Sequence, residues 1–133
     1  MIVLDTHALI WLDSGDRRLG RSARALADAH LARGTLSVSS ITFWEVGLLL
    51  ERGRIGLPVS LPEWRDRLLH AGLAELPLDG RVALRSLELA GLPEDPPDRF
   101  IAATALVNDA TLVTADERLL TWSGTLARHD ARR

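Results

Sequence analysis

Four acidic side chains stand where a parallel sheet would bring them together. Three of them follow short apolar runs that predict buried strands, and the fourth lies at the start of a buried helix. In open parallel sheets the working crevice lies outside the carboxyl ends of the strands. We therefore expect one crevice to hold the four carboxylates of Asp5, Glu45, Asp98 and Asp116.

Four carboxylates in one crevice repel each other, and their pKa values rise unless a cation neutralises them. The chain has no cysteine, and its four histidines are scattered, so soft or imidazole-rich metal sites are not predicted. Hard oxygen ligands favour Mg²⁺ or Mn²⁺. Such an ion activates water and stabilises charge on a phosphodiester, which is the chemistry of a metal-dependent nuclease.

The segment Leu92–Ala105 (LPEDPPDRFIAATA) is the one around which the rest is organised. Asp95 can cap a helix whose first position is Pro96, where the missing N–H costs nothing. Asp98 then lies in the first turn, where the helix dipole favours a carboxylate. The helix continues with apolar residues on nearly every side, which predicts that it is buried.

Each acid also has a simpler structural explanation. Asp5, Asp95 and Asp98 fit helix starts, because a carboxylate is favoured there. Thr42 with Glu45, and Thr114 with Glu117, have the spacing of capping boxes, which would place Asp116 in a first turn. These explanations account for the residues one at a time, but they do not account for their convergence.

Short apolar strands alternate with amphipathic helices along the chain, which predicts an α/β domain with a mainly parallel sheet flanked by helices. At 133 residues we expect a single domain over residues 1–133. The predicted strands are Met1–Leu4, Thr35–Ser40, Leu73–Leu76, Thr111–Val113 and a weak last strand near Thr125–Ala127. The predicted helices begin near Thr6, Ser22, Thr42, Ser60, Arg81 (through Ala90), Asp95 and Thr114.

The net charge is −2, so the molecule as a whole does not attract nucleic acid electrostatically. All 16 basic residues are arginine, whose planar fork suits bidentate contacts with phosphate. The absence of cysteine and of a long apolar stretch predicts a soluble cytoplasmic protein. A net acidic protein with an acid cluster needs a cation to approach RNA or DNA.

Four segments together resemble the PIN-domain ribonucleases, in particular the VapC toxins of bacterial toxin–antitoxin pairs. The resemblance spans nearly the whole chain, in order and in spacing. Its segments are Asp5-Thr6-His7, Ser39–Val46 (SSITFWEV), Asp95–Ala105 (DPPDRFIAATA) and Leu112–Leu119 (LVTADERL).

The resemblance implies that Asp5, Glu45, Asp98 and Asp116 form an acidic pocket that holds Mg²⁺ (or Mn²⁺). It places Thr6, Asp95 and Thr114 beside that pocket. It also implies an RNA substrate, often tRNA or ribosomal RNA, a cognate antitoxin that inhibits the enzyme, and a homodimer.

Two other functions share part of this pattern. A phosphatase of the haloacid dehalogenase type also has an Asp at the end of its first strand, but it needs a second Asp where this chain has His7, and a lysine, which this chain lacks. A non-catalytic α/β interaction module would need only one or two of the acids.

Large apolar side chains on two helices exceed what one packed face can bury. We expect some of them to form an exposed groove beside Glu45 that binds a helix of the antitoxin. The groove residues would come from Phe43, Trp44, Leu48, Leu49, Leu50, Trp64, Leu68 and Leu69.

Overall fold

The computed structural model describes all residues 1–133 and contains one five-stranded sheet with seven helices around it. The strands are β1 (Ile2–Leu4), β2 (Leu36–Ser39), β3 (Ala74–Leu76), β4 (Thr111–Thr114) and β5 (Arg128–Asp130). The helices are α1 (Thr6–Ser14), α2 (Arg21–Ala32), α3 (Ile41–Glu51), α4 (Leu61–His70), α5 (Gly80–Ser86), α6 (Pro96–Val107) and α7 (Glu117–Leu120). No helix is both long and apolar enough to cross a membrane.

The sheet has the strand order β3-β2-β1-β4-β5, and every neighbouring pair is parallel. The expected mainly parallel sheet is therefore confirmed. The chain builds outward from β1 to β3 and then returns to place β4 on the other side of β1. This reversal makes the gap between β1 and β4 the topological switch point, where such sheets bind their ligands.

Alternate residues of the central strand face two separate hydrophobic layers. Ile2 and Leu4 pack into a layer that includes apolar residues of α1, α2, α3 and α4, whereas Val3 packs into a layer that includes α5, α6 and α7. Helix α6 is buried from Ile101 to Ala105, as its apolar sequence predicts. Asp98 is thus attached to an element that cannot move without disturbing the core.

Two boundaries differ from the sequence prediction. Helix α5 ends at Ser86 rather than near Ala90, and the last strand is Arg128–Asp130 rather than Thr125–Ala127. The residues of β5 are polar and only half-buried, because β5 is an edge strand, so they carry no apolar pattern.

The single apolar groove predicted on α3 and α4 does not exist. Trp64 is only 3% exposed, its Nε1 donates to Asp13 Oδ2 at 2.8 Å, and its ring meets Phe43 edge-on with centroids 6.1 Å apart. Trp44, in contrast, is 54% exposed on another side of α3. Leu68 lines a separate cleft formed with α1 and α2. The prediction was wrong because Phe43 and Trp64 are buried in the hydrophobic core instead of lining a groove.

Candidate active site

The four predicted acids and Asp95 line one cavity of about 350 Å³ at the carboxyl edge of the sheet. The expected convergence of the four acids is therefore found. The other lining residues are Thr6, His7, Trp11, Ile101, Ala115, Arg118 and Arg132.

The position of the Asp5 carboxylate is set by strand β1 and helix α1. Asp5 directly follows β1 and serves as the N-cap of α1, where Oδ1 accepts from the backbone N–H of Ala8 at 2.8 Å. Its Oδ2 accepts from the hydroxyl of Thr114 at the end of β4. Asp5 itself therefore caps α1, which begins at Thr6. Burial raises the pKa of Asp5, and these two hydrogen bonds oppose the rise.

Thr114 links Asp5 to Asp116. Its hydroxyl oxygen accepts from the backbone N–H of Asp116 at 3.0 Å while it donates to Asp5. The capping box predicted from Thr114 and Glu117 is not formed, because Asp116 is itself the N-cap of α7 and accepts from the N–H of Arg118 at 2.8 Å. Hydrogen bonds from Arg118 lower the pKa of Asp116.

Glu45 is positioned by a hydroxyl from the neighbouring helix. Thr6 Oγ1 donates to Glu45 Oε1 at 2.6 Å and lies 3.2 Å from Thr42 Oγ1. The predicted capping box of Thr42 and Glu45 is absent, since α3 begins at Ile41 and its N-cap Ser40 makes no side-chain cap. Burial raises the pKa of Glu45, and the charges of Asp5 and Asp95 raise it further.

Asp95 occupies the N-cap position of α6, but its carboxylate accepts no N–H from the helix. Pro96 and Pro97 have no N–H to donate, and the next N–H, that of Asp98, makes no hydrogen bond with the Asp95 side chain. The carboxylate instead lines the cavity and lies 3.8 Å from Arg118 Nη2. The capping explanation of this side chain is therefore wrong, and Asp95 belongs to the acid cluster.

Asp98 lies in the first turn of α6, and the pKa of its carboxyl group is strongly shifted. Burial raises its pKa to about 7, and the charges of Asp95 and Asp116 add to the rise, whereas Arg118 opposes it. Arg99, the next residue, points away from the cavity and donates to the carbonyl groups of Ser86 and Leu92 at 3.0 and 2.8 Å. These bonds secure the loop before α6 and so the position of Asp98.

The carboxylate oxygens of the cavity are ligands that suit a hard divalent cation. Their side chains are not yet arranged to coordinate one ion. No three acidic or histidine side chains are placed to hold one ion. Instead a single cationic atom, Arg118 Nη2, lies 2.7 Å from Asp98 Oδ2 and 2.9 Å from Asp116 Oδ2. The guanidinium group thus stands where the carboxylates converge, and it marks a position at which positive charge is favourable.

Two arginine side chains lie against Trp11 beside the cavity, and the sequence predicted only a general affinity of its arginines for phosphate. The guanidinium carbon atoms of Arg18 and Arg132 lie 5.1 and 5.8 Å from the centroid of the Trp11 ring. Arg132 also donates to the carbonyl of Ala115 at 2.6 Å. The sequence signals for Arg118 are the Asp-x-Arg spacing at residues 116–118 and its place in the segment Leu112–Leu119, whereas Arg132 lies in a tail without an apolar pattern.

The sequence model of a family described as the PIN domain matches residues 2–121. The chain belongs to the PIN-domain family. Ribonuclease VapC22 of Mycobacterium tuberculosis is 32% identical to this PIN domain over 120 residues, which cover 89% of this chain and 88% of that protein. The resemblance found in the sequence is therefore confirmed, and the phosphatase alternative is set aside.

Solved structures share the fold of this PIN domain. VapBC2 from Rickettsia felis, bound to a DNA fragment from its promoter, superposes with a TM-score of 0.71 at 18% identity, covering 98% of this chain and 100% of that chain. A toxin–antitoxin complex from Klebsiella pneumoniae gives a TM-score of 0.65 at 23% identity, covering 98% of each chain.

We predict that Asp98→Asn stabilises the chain in the presence of a chelator. Because the folded-state pKa of about 7 exceeds the ordinary value of 3.8, the favourable contribution of neutral Asp98 is lost as pH rises through about 7. Asparagine is neutral at every pH, so the variant avoids that loss. Urea unfolding at pH 8 should show a gain on the order of 1 kcal/mol after allowance for solvent screening.

The gain from Asp98→Asn should shrink at pH 5, where Asp98 of the parent is largely protonated. Asp66→Asn, at a side chain that is 76% exposed on α4, is the control and should change little at either pH. A variant that is equally destabilised at pH 5 and pH 8 would show that Asp98 is a favourable ion-pair partner rather than a strained carboxylate.

Proposed function

We propose that this PIN domain is a metal-dependent endoribonuclease and the toxin of a toxin–antitoxin pair. The observation that carries the proposal is the convergence of Asp98 and Asp116 on one cationic atom at the switch point of a parallel sheet. The identity with a protein named as a ribonuclease supports RNA as the substrate.

Asp5, Glu45, Asp98 and Asp116 would hold Mg²⁺ or Mn²⁺, and Asp95 is close enough to the cluster to assist them. When bound, such an ion lowers the pKa of a water molecule and stabilises the charge that develops on a phosphodiester. Thr114 and Thr6 keep Asp5 and Glu45 in place by hydrogen bonds.

The rim of the cavity supports a phosphate-containing polymer as substrate. Arg132 lines the cavity and lies against the ring of Trp11. Arg18 lies over the same ring but is not among the residues that line the cavity. Guanidinium groups bind phosphate oxygens in a bidentate manner. The rim therefore supplies local positive charge to a chain whose net charge is −2.

We predict that the purified chain cleaves tRNA or ribosomal RNA only with Mg²⁺ or Mn²⁺ present. Asp5→Asn, Asp98→Asn and Asp116→Asn should each reduce the cleavage rate by at least about 100-fold, because each removes a charged group on which the reaction depends. Gel analysis of cleavage, together with thermal melting of each variant, measures this.

Asp66→Asn is the control for a lost surface carboxylate and should cleave at the parent rate. Full activity in any two of the three site variants would reject the assignment of the pocket. Cleavage that continues in a chelator would reject the metal, and the absence of any cleavage would favour the non-catalytic module.

We propose that the antitoxin binds this chain at the cleft between α1, α2 and α4, whose volume is about 290 Å³. Seven of its ten lining residues are apolar, and the other three are charged. Apolar side chains from one face of an amphipathic helix can bind in such a cleft. The lining residues are Leu9, Leu12, Asp13, Arg24, Asp28, Leu31, Leu36, Leu68, Ala71 and Leu73.

We also propose that the chain forms a homodimer, as its resemblance to the VapC toxins implies. Trp44, Leu84 and Leu87 are large apolar side chains that are 54%, 67% and 77% exposed, and exposed apolar surface of this kind is typical of interfaces. They lie outside the cleft proposed for the antitoxin.

Where a small protein is encoded beside this gene, we predict that Ala71→Glu weakens its binding by about tenfold or more, because the substitution places a charge in an apolar contact. Ala71 is exposed, so the fold should tolerate the change. Ala127→Glu, at an exposed alanine outside the cleft, is the matched control. Titration calorimetry measures the affinity of each variant. If Trp44→Glu weakens binding and Ala71→Glu does not, the antitoxin binds the face that carries Trp44 instead.

A further inference from the structure

The chain has four Asp-x-Arg segments, and in three of them the guanidinium folds back onto its own aspartate. In the fourth, residues 130–132, Arg132 instead donates to the carbonyl of Ala115. Arg18 lies 2.7 Å from Asp16, and Arg81 lies 3.2 Å from Asp79. Arg118 makes the same local contact with Asp116 at 2.9 Å. The local turn alone therefore explains why Arg118 contacts Asp116.

The local turn does not explain the contact that Arg118 makes with a different helix. Its Nη2 atom donates to Asp98 on α6 at 2.7 Å, across 20 residues of sequence, and lies 3.8 Å from Asp95. Arg18 and Arg81 form ion pairs only with the aspartate of their own turn. Arg118 is thus distinguished by a position between carboxylates from two elements.

We propose that Arg118 is a built-in counter-ion of the acid cluster that competes with the divalent cation for Asp98 and Asp116. The guanidinium keeps the carboxylates together while no cation is bound, and it leaves them when the cation binds. This inference rests on the metal site of the proposed function, and it adds a residue whose role is to position the acids.

Competition follows from the atoms that are shared. Arg118 Nη2 binds the Oδ2 atoms of Asp98 and Asp116, and its Nε lies 3.2 Å from Asp116 Oδ1. A divalent cation needs carboxylate oxygens of the same two residues, and an ion and a guanidinium group cannot both occupy the point where those oxygens converge. Charge-assisted hydrogen bonds of this length are among the stronger ones, so displacing them reduces the apparent metal affinity.

The side chain of Arg118 is free to leave the cluster. It is 50% exposed, it starts from the four-residue helix α7 at the surface, and it makes no hydrogen bond to a buried backbone group. Arg99 and Arg128 differ in this respect, since both are tied to backbone carbonyls. Release of Arg118 therefore breaks only contacts that the cation replaces.

The test is the affinity of the full chain for Mn²⁺ at pH 8 after treatment with a chelator, measured by titration calorimetry. Arg118→Gln should bind Mn²⁺ about tenfold more tightly than the parent, because the competitor is gone and the negative potential of the cluster is stronger. Arg81→Gln is the control, because it removes the arginine of the matching turn at the start of α5, and it should leave the affinity for Mn²⁺ unchanged.

Equal or weaker Mn²⁺ binding by Arg118→Gln, with the parent binding normally, would overturn the inference and leave the proposed function standing. Absence of Mn²⁺ binding in both proteins would reject the metal site itself. A second measurement uses the unmodified chain: the NMR signal of the Arg118 Nε–H should lose its protection from solvent exchange as Mg²⁺ saturates the site. A signal that stays protected at saturating Mg²⁺ would also overturn the inference.

Discussion

The parallel pairing of β1 with β4 is the constraint on which the site depends. It places Asp5 beside the end of β4, where the N–H of Asp5 donates to the carbonyl of Val113 at 3.0 Å. Thr114 then donates to the Asp5 carboxylate and accepts from the N–H of Asp116. Two carboxylates from two strands are thereby fixed relative to each other by one hydroxyl group.

The remaining acids are brought to this pair by elements that the hydrophobic layers hold in place. The buried stretch of α6 sets the position of Asp98, and Arg99 secures the loop that precedes it. Thr6 reaches from α1 to Glu45 on α3. The carboxylates are thus held by packing on one side and by hydroxyl donors on the other, although burial and mutual repulsion raise the pKa values of Asp5, Glu45 and Asp98.

The sequence predicted the sheet and the convergence of the acids because both follow from short apolar strands that end at acidic residues. It did not predict the local bonds that hold them. The spacings of Thr42 with Glu45 and of Thr114 with Glu117 fit capping boxes, but the oxygens of Glu45 and Thr114 bond to tertiary partners instead. The two prolines after Asp95 remove N–H groups from the first turn of α6. The role of Arg118 depends on the distance between α6 and α7, and Trp64 is buried by contacts with α1 and α3 that no local pattern encodes.

The central claim is that these carboxylates form one cation site at the switch point of the sheet. Anomalous diffraction from crystals of the full chain grown with Mn²⁺ tests it most directly. The account predicts a Mn²⁺ peak within about 2.5 Å of carboxylate oxygens of Asp98 and Asp116, with the Arg118 guanidinium group displaced from between them. A cavity without a peak, or with Arg118 still bridging the two aspartates beside bound Mn²⁺, would contradict it.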